Sequence, residues 1–137
     1  MADIFNLPPE AKKAFGKFRD WLPKQDFIDL NGLRFHTSSE LVEECEELFN
    51  FLPEEFQTDF DPQKHDTRVT AIHVHESMRM PVKDGSNALL IPVDISDNAK
   101  IDDKELHELE YVKLKGGVMA EPSFYALLLL SRAITES

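Results

Sequence analysis

Apolar and polar positions alternate most clearly over residues 68–96, RVTAIHVHESMRMPVKDGSNALLIPVDIS. Alternation marks a half-buried strand, because successive side chains point to opposite faces. Ile72, Val74, Met78, Met80 and Val82 share one face, interrupted by Glu76, and His73, His75, Ser77 and Arg79 share the other. Lys83-Asp84-Gly85-Ser86-Asn87 has the chemistry of a turn, since Gly, Asp and Asn tolerate the positive φ of a reversal. Residues 88–95 read as the return strand, with Leu89, Ile91, Val93 and Ile95 on one face and Leu90 on the other. Pro92 has no N–H to donate, so the ladder should be open on one side there. The pattern therefore predicts a central hairpin over 68–96.

Elsewhere the period lengthens to that of a helix. Ala11, Ala14, Phe15, Phe18, Trp21 and Leu22 recur at helical spacing after Pro8-Pro9, which suits a first turn, and Pro23 closes a predicted helix over 8–22. Asn31-Gly32 between Phe27-Ile28-Asp29-Leu30 and Leu33-Arg34-Phe35-His36 predicts a small hairpin over 27–36, because a two-residue type I′ turn needs positive φ twice. Thr37 and Glu40 have the spacing of a capping box. Leu41, Val42, Cys45, Leu48, Phe49 and Leu52 then form the apolar stripe of a second helix, ended by Pro53.

Residues 53–67 hold no sustained period and read as loop with one helical turn. Residues 109–115 predict a third strand of the main sheet, and its charges place it at an edge. Pro122 and the apolar run Phe124 to Leu130 predict a last helix over about 121–135, packed across the sheet or lying in an oligomer interface. The expected fold is one α+β domain spanning 1–137. A small antiparallel sheet packs with an N-terminal, an acidic and a C-terminal helix.

Composition narrows the class. With 137 residues, 42% hydrophobic, the chain can bury one core. A single cysteine, Cys45, excludes an internal disulfide, and with no signal-type or spanning segment in the sequence a cytoplasmic address is expected. The net charge is −11, and its distribution says more than its size. Between Phe35 and Gln63 there is no Lys or Arg, while Glu40, Glu43, Glu44, Glu46, Glu47, Glu54, Glu55, Asp59 and Asp61 are all present. That sign excludes direct nucleic-acid binding, which needs cations to displace counterions from phosphate. No membrane partner is expected either.

Candidate chemistry is sparse. His73 and His75, at i and i+2 of a strand, put two imidazoles on one face about 6.5–7 Å apart, a spacing some metal sites use, with Glu76, His107 or His65 as possible completions. A solvent-facing strand that simply carries two histidines is the more ordinary reading, and with no second ligand pair at fixed spacing no metal is expected. His36-Thr37-Ser38 and His75-Glu76-Ser77 share the form His-x-Ser, which two-histidine phosphoesterases use as acid and base. Cys45 sits on an apolar stripe, where a structural thiol is expected. No motif calls for a cofactor; Gly116-Gly117 is not followed by the Lys-Ser/Thr of a phosphate loop.

The acidic helix resists a bland reading. Five glutamates from Glu40 to Glu47 repel one another at i,i+3 and i,i+4, each pair costing roughly a few tenths of a kcal/mol. Such a field steers and docks a basic partner. The leading expectation is a small cytosolic binding protein that inhibits or sequesters a basic protein, such as a nuclease or other nucleic-acid enzyme, in the manner of an immunity protein or a phage-borne inhibitor. Its contact surface would be Glu43, Glu44, Glu46, Glu47, Glu54, Glu55 and Asp59. Two alternatives stand beside it: an acidic type III secretion-type chaperone, homodimeric through the C-terminal helix, and a small metal-dependent or phosphoesterase-like enzyme centred on His73 and His75.

Overall fold

The computed structural model describes residues 2–30, 33–59, 67–80, 82 and 87–131. The expected turns at Asn31-Gly32 and at 83–86, and His65, lie outside the described residues, as do the side chains of Glu55 and Asp59. In chain order the elements are β1 (Ala2–Asn6), α1 (Lys12–Trp21), β2 (Ile28–Leu30), β3 (Leu33–His36), α2 (Ser39–Phe49), α3 (Glu54–Asp59), β4 (Thr67–Val74) and β5 (Met78–Arg79). There follow β6 (Asn87–Val93), β7 (Lys100–Ile101), β8 (Lys104–Glu105), β9 (Glu110–Leu114), β10 (Met119–Glu121) and β11 (Phe124–Ser131). The fold is α+β and antiparallel, in three layers: helices, a seven-stranded sheet ordered β1-β9-β6-β11-β4-β3-β2, and a four-stranded sheet ordered β5-β10-β7-β8.

The expected C-terminal helix is instead the central strand of the large sheet. Leu127 and Leu129 enter the core under the helices, and Phe124, Ala126 and Leu128 enter the core under the small sheet. A strand buried on both faces is apolar at every position, so it loses the alternation that identifies a half-buried one. Seven consecutive apolar residues also make a short helix and a typical strand look alike in sequence. Because β11 is buried here, the homodimer expected through that helix loses the element it rested on.

The same strand corrects the central hairpin. β4 and β6 do not pair; β11 inserts between them and runs antiparallel to both, with Leu127 opposite Ala71 on one side and Ile91 on the other. Alternation located both strands but carried no information on their neighbours. After Val74 the chain leaves the large sheet, and Met78 pairs with Ala120 in the small one. Pro92 sits where β6 pairs with β11 at Ala126, beyond the β6–β9 pairing that ends at Leu90. Its missing N–H therefore interrupts no ladder with β9.

β9 is interior rather than an edge, since β1 pairs with it from Ala2↔Leu114 to Asn6↔Glu110. Its charged Lys113 lies over the Phe56 ring at 5.5 Å, so α3 covers the face a solvent-exposed edge would show. Phe5 stacks on Tyr111 with centroids 5.4 Å apart, and Phe56 meets both rings edge-on. The small hairpin is present, β2 pairing with β3 from Ile28↔Phe35 to Leu30↔Leu33, and β3 joins it to β4. Residues 97–104, polar in sequence, hold another: Asp102 and Asp103 both take positive φ between β7 and β8, as a type I′ turn requires.

Candidate functional site

The acidic surface is built on α2. Leu41, Cys45, Leu48 and Phe49 are buried, and α2 lays this stripe on the helix-side core with Phe15 and Phe18 of α1 and Ala71 of β4. At roughly 100° per residue, Glu43 projects almost opposite that stripe, with Glu40, Glu46 and Glu47 within about 65° of it. All four are exposed; Glu44, at the flank, is half-buried. Glu54 continues the exposed surface from the start of α3.

The helix is started by Ser38, not by the Thr37–Glu40 box. Ser38 Oγ accepts from the Leu41 N–H at 3.1 Å, which puts Glu40 one position too early for the reciprocal bond. Ser38 is itself held: its Oγ is 3.0 Å from His36 Nε2, and His36 Nδ1 is 2.9 Å from the Asp26 carbonyl oxygen. A carbonyl can only accept, so His36 donates from Nδ1, and in the neutral ring Nε2 accepts a hydrogen bond from the Ser38 hydroxyl. The relay fixes the helix N-terminus to the β2–β3 hairpin and occupies both nitrogens of the histidine proposed for acid–base work.

Glu43, Glu44, Glu46 and Glu47 form no ion pair with any described Lys or Arg. Glu40 accepts from Trp21 Nε1 at 3.2 Å. Arg19 of neighbouring α1 turns to Glu108 at 3.2 Å and Asp20 at 3.8 Å, while Lys12, Lys13 and Lys17 are exposed. No basic residue occupies the last turn of α2, so Glu46 and Glu47 face the negative end of the helix dipole uncompensated. Buried beneath, the Cys45 thiol is pushed up to about 12 by desolvation and donates to the Val42 carbonyl at 3.3 Å, which makes it an inert packing group.

His73 and His75 point to the helix side of the large sheet, away from the space between the sheets. Their ring centroids are 5.8 Å apart. His73 stacks on Tyr125, its cross-strand neighbour, at 4.0 Å and 3°, and Arg34 is its partner on the other strand. Burial holds its pKa below the ordinary 6.5, with Arg34 and His75 adding in the same direction and Asp94 opposing. Phe27 meets Tyr125 and His73 edge-on and lies tilted against His36. Among the described residues no three His, Cys, Asp or Glu side chains cluster as metal ligands would. His107 instead meets Glu105 at 3.8 Å and Glu110 at 3.5 Å.

The sequence did not reveal the Trp21–Glu40 contact or the His36–Ser38 relay. The first links residues 19 apart and the second depends on the hairpin's placement, so neither leaves a local pattern. No helix among the described residues is long and apolar enough to cross a membrane.

The chain matches no family model and no curated protein. Among solved structures it is similar to one described as a "Putative oxygenase from Shewanella oneidensis", at 9% identity over 96% of this chain and 81% of that one, with a TM-score of 0.42. A likeness of that size bears on neither activity nor site.

Proposed function

We propose that this protein is a small acidic binding protein that captures a basic protein on the carboxylate face of α2, and thereby inhibits or sequesters it. The observation that carries the reading is the uncompensated row Glu40, Glu43, Glu46 and Glu47: exposed, on one side of one helix, and without an ion pair to the chain's own described Lys or Arg. Like-charge pairs and an unfavourable dipole at the last turn together cost α2 about 1 kcal/mol or more. A partner's lysines and arginines would convert that cost into binding energy and a faster encounter.

Glu44 flanks the surface and Glu54 extends it, with Glu55 and Asp59 assigned to it by sequence position. The partner class is a basic protein such as a nuclease or another nucleic-acid enzyme, the setting of immunity proteins and phage-borne inhibitors. The chaperone alternative retains the acidic surface but not its dimerising helix. The enzyme alternative draws less support, because His36 is spent on capping α2 and His73 on stacking and packing.

Affinity capture from the native host with the wild type and a Glu43→Lys/Glu47→Lys double variant tests the reading. A basic protein retained by the wild type and lost by the variant is expected. The same proteins retained by both would reject it.

A further inference from the structure

The opposite face of the large sheet carries a second feature. On that face lies a groove of about 420 Å³ lined, among the described residues, by Phe35, Thr37, Arg68, Thr70, Ile72, Leu128 and Leu130. Cross-strand register explains the grouping. Phe35 lies beside Ile72, Thr70 beside Leu128, and Arg68 beside Leu130, so β3, β4 and β11 all present these residues to one side. Ile28, opposite Phe35 on β2, continues the apolar surface and is 62% exposed.

We infer that this groove binds a small amphipathic carboxylate, a medium-chain fatty acid in class, with its head on Arg68 and its tail against the half-buried Leu130 and Phe35, above a floor whose packing is set by the buried Ile72 and Leu128. The volume falls near the lower end of the range for small-molecule sites, about 300–1,000 Å³. Among the described residues the lining has the composition such sites use, an apolar floor with few polar groups. Arg68 is exposed and forms no ion pair among the described residues, although the chain carries a net charge of −11. A guanidinium pairs with a carboxylate through two parallel N–H···O bonds, and the hydroxyls of Thr37 and Thr70 supply further polar groups along the groove.

Methyl NMR with decanoate and 1-decanol as probes tests this on the full chain. Decanoate should shift the methyls of Ile72, Leu128 and Leu130 saturably, and 1-decanol should bind about tenfold more weakly. Arg68→Gln should abolish that difference by weakening decanoate alone, and Thr70→Phe, which fills the groove, should remove both. Unperturbed Leu41 and Leu48 methyls would verify that each variant is folded. Absence of saturable shifts at the groove methyls, or decanoate binding to Arg68→Gln as to the wild type, would overturn the inference. Either result leaves the α2 reading untouched, since that surface is on the other face.

Discussion

The indole Nε1 of Trp21 donates to Glu40 Oε1 across 3.2 Å, and through that bond α1 holds the first carboxylate of the α2 row. Trp21 also stacks on Phe18 with centroids 5.9 Å apart, so its ring is already fixed when it donates. Trp21→Phe keeps the ring contact and removes the donor. Because the bond is exposed, the variant should lose about 0.5–1 kcal/mol, measured by urea unfolding.

Glu46 and Glu47 stand at the end of α2 where a cation would be favoured. Glu47→Lys removes repulsion from Glu43 and Glu44 and complements the dipole, so it should stabilise the protein by about 0.5–1 kcal/mol. The gain should shrink as salt screens the field. Denaturant midpoints at low and high salt check both statements.

Ser38 caps α2 and is fixed by His36. Ser38→Ala leaves the Leu41 N–H without its acceptor and should cost about 1–2 kcal/mol. Ser38→Asp, which retains an acceptor at the cap, should recover most of that. Equal losses for the two variants would mean that the cap contributes little.

Leu128 is buried in the central strand, facing the core beneath the small sheet. Leu128→Ala should cost about 3–5 kcal/mol by chemical denaturation, the range for a fully buried leucine. Amides of residues 125–130 should exchange among the slowest, because β11 is paired on both sides.

His73 gives a pH dependence of known sign. Its folded pKa lies below the ordinary 6.5, so the unfolded chain takes up a proton first as pH falls. Stability attributable to His73 is therefore intact above 6.5, declines as pH drops through that value, and levels off once the folded imidazole protonates. His73→Gln should flatten that part of the stability profile. An NMR titration of the wild-type imidazole should place its midpoint below 6.5.

Several elements were legible in the sequence because their signals are local. The apolar stripe of Leu41, Cys45 and Leu48 located α2, Asn31-Gly32 located the β2–β3 hairpin, and the alternation around Ile72 and Val74 located β4. What failed was non-local. Nothing in residues 68–96 records that β11 will insert between β4 and β6, and burial on both faces erased the period of Phe124 to Leu130. β1 was missed because Ile4 and Phe5 make too short a run to stand out without Val112 and Tyr111 beside them. The acidic row was visible as composition. That it occupies one side of one helix, free of the chain's own described cations, depended on how α1 packs and where Arg19 turns.

The central claim is that the α2 carboxylates bind positive charge on another protein. Its most direct test is the dissociation constant of the captured basic partner for wild type and Glu43→Lys/Glu47→Lys, measured across a salt series. The account predicts wild-type affinity that falls steeply with salt, and at least a hundredfold loss in the variant with no loss of folding stability, as close charge pairs of about 1.5 kcal/mol or more each would give. Equal affinity for the two proteins, or binding indifferent to salt, would contradict it.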